Sequence, residues 1–194
     1  MTIFQSSAQG IASLLEDRQN DFAQEIFVSP ISRYSIVLGK ILGETLVALA
    51  QAAPLVLFAL ALRVPLTPIQ LLLLAPVAVA SCLLGGAFGL AAMSMINSRE
   101  AANQVFTFLL LPQFFLAGVF NPIKILPWYL EVLSRISPMR YVVDLLRDVV
   151  YAGRPEYDKV VLLGPAANLT TMAVLFAGFM VVGTALFVRR ETNR

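Results

Sequence analysis

The sequence predicts an all-α, polytopic membrane protein with four complete transmembrane helices and a partial N-terminal one. A short amphipathic helix is expected ahead of the first complete span, and an amphipathic helical hairpin ahead of the last. Three observations predict this class. Of 194 residues, 58% are hydrophobic and 13% charged, against about 25% charged in a soluble domain. The apolar residues are gathered into uninterrupted blocks, not spread in stripes. Several blocks reach the roughly 20 residues that a helix needs to cross about 30 Å of hydrocarbon with its backbone polar groups satisfied internally.

Taken in order, Ile3 to Leu15 is mildly apolar but too short to cross a bilayer, and is expected to be the final half of a span (residues 1–15) whose beginning lies upstream. Residues 16–33 turn polar with Phe22, Ile26 and Phe27 interspersed, the pattern of a short amphipathic helix. Ser29 then stands as an N-cap with Pro30 in the first helical position, where a missing N–H costs nothing. The complete spans are expected at residues 41–62, 69–96, 101–120 and 160–188. Pro65 and Pro68 make a tight joint between the first two, and residues 97–100 make another between the second and third.

The stretch 121–159 carries six basic and five acidic residues yet keeps apolar periodicity. Tyr129, Val132, Leu133 and Ile136 share one helical face. After Pro138 the pattern restarts, with Val142, Leu145, Leu146 and Val149 on the apolar side. Arg140, Asp144, Arg147 and Asp148 fall on the polar side, Arg140 and Asp144 at a spacing that allows them to pair. Two short helices at the membrane surface fit this pattern, with Trp128 and Tyr129 at headgroup level. No repeat, low-complexity tract or flexible linker divides the chain, so residues 1–194 read as one membrane domain.

Charge excludes several functions. A net charge of +2 without a basic patch implies no nucleic-acid partner. With no His and a single Cys82 inside an apolar block, zinc sites built from His or Cys and disulfide frameworks are ruled out, and no metal ligands are assigned. No catalytic residue is assigned either, since no imidazole is present to activate a nucleophile. Gly39 and Lys40 match the end of a phosphate-binding loop, but Ile41 stands where Ser or Thr is required and Tyr34 where Gly is required. No secretory signal opens the chain. Basic residues divide evenly between the two membrane faces, and Arg189 and Arg190 tip the weak preference toward residues 16–40 lying in the cytoplasm.

Within the spans, Lys40 and Glu44 are the intramembrane charges, one helical turn apart, where mutual pairing at the span entrance explains both. Ser81, Gly85 and Gly89 align small residues at every fourth position, allowing close approach of a neighbouring helix within the subunit. Pro54, Pro76 and Pro112 can kink three spans. Phe106, Phe108, Phe114, Phe115 and Phe120 crowd the third, where packing or lipid contact is expected over an aromatic-lined path.

Two stretches resemble a known family. Asp17-Arg18-Gln19, Gln24 to Arg33 (Gln-Glu-Ile-Phe-Val-Ser-Pro-Ile-Ser-Arg) and Val37-Leu38-Gly39-Lys40 resemble the cytoplasmic segment of type-2 ATP-binding-cassette permeases, of multidrug type. Ala117 to Pro122, Leu126-Pro127-Trp128 and Ser137 to Arg147 are similar to that family's outer hairpin before its last span. Asp21-Phe22, Ala117 and Ser137 depart from common family residues. The chain is also short for a family whose members usually have six spans.

The resemblance implies a coupling helix, with Arg18, Phe22, Glu25, Ile26, Phe27, Ser29 and Pro30 as the residues that meet a separate ATP-binding-cassette ATPase subunit. ATP and Mg would be bound by that subunit, and no cofactor by this chain. It further implies a second permease subunit, identical or different, in the cell (inner or plasma) membrane. Phe115, Gly118, Pro122, Pro127, Trp128, Pro138, Asp144 and Arg147 are the implied hairpin and path residues. The expected cargo is drugs or other amphipathic compounds, with polysaccharide or glycolipid as the alternative, and an assembly protein or nonfunctional fragment as a further one.

Overall fold

The computed structural model describes residues 1–11, 33–94, 96, 99–120, 123 and 127–192. Among these residues the regular structure is helical: α1 (Thr2–Gly10), α2 (Arg33–Ala61), α3 (Pro68–Met93), α4 (Arg99–Leu116), α5 (Trp128–Ser134), α6 (Pro138–Tyr151), α7 (Tyr157–Val160) and α8 (Pro165–Thr192). The joint at residues 97–98 and the region expected to form the coupling helix lie outside the described residues.

Among the described residues, three segments are long and apolar enough to cross a membrane: Ser35–Ala61, Pro68–Met93 and Tyr157–Leu186. They correspond to the first, second and fourth expected spans. The third ends four residues earlier than expected, its helix α4 running Arg99–Leu116. The reason is local. Gly118 takes φ +71, the left-handed conformation that closes helices, and Ala117 N–H donates to Gln113 O at 2.7 Å while Val119 N–H donates to Phe114 O at 3.2 Å. Residues 117–120 therefore form the turn that ends α4.

The joint between α2 and α3 does more than block helix continuation. Pro68 occupies the first turn of α3, and Thr67 caps it: the Thr67 hydroxyl accepts from Gln70 N–H at 3.2 Å, while Gln70 Oε1 accepts from Thr67 N–H at 2.9 Å. Two orphan donors of the helix start are satisfied reciprocally by this Thr-x-x-Gln box. Pro54, Pro76 and Pro112 all lie inside helices, as the sequence suggested.

α3 is the centre of the bundle, packed by α1, α2, α6 and α8. A side chain at Gly85 would run into the backbone of Phe4, and one at Gly89 into the backbone of Ala8. The aligned small residues thus seat α1, which runs parallel to α3, and the packing is internal to the subunit as expected. α2 approaches the same region, its Ile41 Cγ2 standing 3.0 Å from where a Gly86 Cβ would lie. At Gly183, α8 comes equally close, with Ala91 N of α3 at 3.0 Å from an added Cβ. Phe88 of α3 ties the layers together, its ring 5.8 Å from Phe4, 6.4 Å from Phe106 and 5.5 Å from Phe179. These close contacts hold the helices by dispersion, since burial against apolar lipid supplies no driving force.

Candidate functional site

The aromatic cluster of α4 divides on inspection. Phe106 is buried against Phe88, and Phe114 packs on the same core, whereas Phe108 is 83% exposed. Phe115 and Phe120 are exposed too and stack on each other at 5.2 Å. None of these rings lines the apolar cavity of about 590 Å³ that lies between the start of α1 and helices α2, α3 and α6, with Val56, Leu74, Val77, Val142 and Leu146 among its walls.

Lys40 and Glu44 form the expected ion pair at 3.6 Å within α2. The Glu44 carboxylate rests where a Gly10 side chain would be, so α1 covers it. That arrangement matches charges paired at a helix entrance.

The hairpin before α8 is the richer region. Pro127 precedes α5, its carbonyl accepting from Leu130 N–H at 2.9 Å and Glu131 N–H at 3.0 Å. On α5, Trp128, Tyr129, Val132 and Leu133 are all exposed, as is Ile136 in the turn that follows, and Trp128 stands edge-on to Tyr129 at 6.0 Å. An exposed apolar face beside headgroup-seeking aromatics suits the membrane boundary. Pro138 opens α6 in its first turn and is itself buried.

α6 departs from the expectation. Its apolar residues Val142, Leu145 and Val149 are buried as predicted, but Arg140 and Asp144 on the polar side are buried as well, with Asp144 only 1% exposed. The pairing allowed by their spacing is not made. Both Asp144 oxygens are committed elsewhere: Oδ1 accepts from Leu162 N–H at 2.8 Å, and Oδ2 from Leu163 N–H and Asn168 Nδ2 at 2.9 Å each. Those amides lead into the first turn of α8, where N–H groups have no helical partner and favour a negative charge. Three good donors satisfy a buried carboxylate more fully than one flexible guanidinium four residues away.

Arg140 turns the other way, donating to Glu131 O at 3.2 Å and to the Ser134 hydroxyl, and so holds the end of α5. Its Nε has no partner. Tyr141 adds a hydrogen bond to Arg135 O at 2.9 Å. Arg147 donates to Gly118 O, fixing the turn after α4. Burial lowers the Arg147 pKa, and the nearby Asp144 and then Tyr151 oppose the shift, so the guanidinium stays charged at any working pH. Gln70 donates to Val150 O at 3.3 Å and Ala152 O at 3.5 Å, joining the end of α6 to the start of α3.

The structure thus brings Gly118, Pro138, Asp144 and Arg147 into one hydrogen-bonded assembly, with Phe115 and Trp128 exposed at its margins. Pro122 lies outside the described residues, as do Arg18, Phe22, Glu25, Ile26, Phe27, Ser29 and Pro30. Sequence reasoning missed Asn168 and Gln70. The Thr-x-x-Gln spacing at Thr67 was a readable signal for Gln70, and an Asn three residues after Pro165, at the head of an apolar run, was a weaker one for Asn168.

Fold and site together define a multi-pass, all-helical membrane protein whose helices are joined by a polar brace ahead of the last span. Residues 1–151 match the ABC-2 type transporter family, and the chain belongs to that family. It is 26% identical over 138 residues to a protein named probable multidrug ABC transporter permease YbhR in Escherichia coli strain K12, and to the protein of the same name in Escherichia coli O157:H7. Each match covers 71% of this chain and 37% of the relative, so the alignment spans well under half of those proteins.

Proposed function

We propose that this chain is a membrane-spanning permease subunit of an ATP-driven exporter, in which a separate ATP-binding-cassette ATPase hydrolyses ATP and this chain, paired with a second permease subunit, forms the path through the cell membrane. The observation that carries this reading is the family match, which runs through residues 16–33 and the hairpin as far as the end of α6. The residues proposed to take the push are Arg18, Phe22, Glu25, Ile26, Phe27, Ser29 and Pro30, as an amphipathic helix seated in a groove of the ATPase. Drugs or other amphipathic compounds are the proposed cargo, a choice supported by the name of the relatives and by the apolar walls of the cavity between α1, α2, α3 and α6.

Capture tests the assignment. The chain as its gene encodes it, tagged and extracted in mild detergent, is expected to bring down an ATPase subunit. Phe27→Asp is expected to release that subunit while leaving the chain in the membrane, because a charge in an apolar contact is costly to desolvate. A wild-type chain that captures no ATPase in the membrane of its own host overturns the reading.

A further inference from the structure

α6 touches the ends of three long helices, α3, α4 and α8, and the three contacts lie at the same end of the bundle. Gln70 sits in the first turn of α3, Gly118 directly follows α4, and Asn168 sits in the first turn of α8. Each is hydrogen-bonded to α6: to Val150 and Ala152, to Arg147 and to Asp144 respectively. The ties differ in strength. Gln70 makes long bonds between neutral groups, whereas Asp144 receives three short ones on a buried charge, and charge-assisted bonds are roughly twice as strong as neutral ones.

The Asp144 tie also sits where the chain most needs it. Between α7 and α8 the backbone is non-helical over residues 161–164, and Asp144 holds two of those four residues by their N–H groups. Without it, the start of α8 would be joined to α7 only through a short extended link.

We propose that α6 is a crossbar through which these ends of α3, α4 and α8 move as one body, and that Asp144 is the positioning residue that locks α8 to it. The proposal rests on the permease reading, in which a displacement begun at one helix must reach the others; packed elements with discrete arrangements transmit such shifts as rigid-body steps. Replacing Asp144 by Asn keeps the shape but turns an amide donor toward donors, so the lock opens while the apolar packing of α6 stays.

Two measurements on the same purified chain decide the matter. Amide hydrogen exchange is expected to quicken about tenfold or more at Leu162 or at Leu163 in Asp144→Asn, with amides in the middle of α8 unchanged, since Asn keeps one of the two oxygens and the backbone N–H facing its new NH2 group loses its acceptor. Spin labels at Ala152 and Thr170, both exposed, are expected to give one narrow distance in the wild type, the same with the ATPase partner empty or trapped with ATP and vanadate. In Asp144→Asn the distribution is expected to broaden and to shift on trapping, and Asn168→Asp added to it is expected to narrow it again by restoring a carboxylate across the α6–α8 contact. Should Asp144→Asn fold poorly, Asn168→Ala removes one of the three donors and is expected to give the same changes in smaller measure. Unchanged exchange at Leu162 and Leu163, or a wild-type distance that shifts on trapping, overturns the crossbar. If no ATPase is captured the permease reading fails by itself, and the exchange rates and the width of the unliganded distribution still judge Asp144.

Discussion

α3 and α6 each touch several other helices, and they hold them by opposite means. α3 does so with absence: Gly85, Gly86 and Gly89 remove side chains so that α1 and α2 can lie against its backbone. α6 does so with charge, through Arg140, Asp144 and Arg147 reaching the main chain of α5, the approach to α8 and the turn after α4. Contacts made by close backbone approach tolerate no added bulk but are indifferent to pH and salt. Contacts made by buried charge tolerate changes of shape poorly and loss of charge worse. A bundle braced by the second kind at one end and the first along its centre is stiffest where the membrane helices begin and end.

Substitutions sharpen the contrast, and the largest effect is expected at α6. Asp144→Ala leaves the Leu162 and Leu163 N–H groups without an acceptor and leaves Asn168 Nδ2 only its bond to Leu163 O, and should cost about 3 kcal/mol, from the penalty of unsatisfied buried donors; thermal unfolding in detergent measures it. Gly89→Leu should cost about 2 kcal/mol by overpacking against α1, while Gly39→Ala on α2, where an added methyl meets nothing within 4 Å, should be neutral or slightly stabilising, given the helix preference of Ala over Gly. If both glycine variants behave alike, the seat of α1 on α3 is wrong. Smallest is Glu44→Gln: the Lys40 pair within one helix is worth about 0.5 kcal/mol or less, and a shift in melting temperature beyond a few degrees would assign that pair a larger role than an ion pair at a helix entrance.

Much of α3 could be read in advance. Small residues at every fourth position announced a close helix contact, and the joint at Pro65 and Pro68 announced the hairpin, because both signals are local in sequence. The interior of α6 could not. Helical spacing placed Arg140 and Asp144 four residues apart and so suggested that they pair, whereas the true partners of Asp144 are 18, 19 and 24 residues along the chain. Periodicity reports which side chains share a face, and says nothing of what a later segment will press against that face. The end of α4 failed for a different reason: Ala117 to Phe120 are apolar enough to extend a span, and the left-handed turn at Gly118 overrides composition. Phe106 and Phe108, two residues apart on one apolar helix, differ as completely as buried and exposed can, since hydropathy alone cannot distinguish a helix neighbour from lipid.

The proposed permease role requires the two ends of the bundle to lie on opposite sides of the membrane, with the brace of α6 outside and residues 16–33 inside, where an ATPase could reach them. Single cysteines at Asn20 and Ala152, with the buried Cys82 left in place, can be probed in intact cells with a membrane-impermeant maleimide. The account predicts labelling at position 152 at once and at position 20 only after the cells are opened; immediate labelling at position 20 would contradict it.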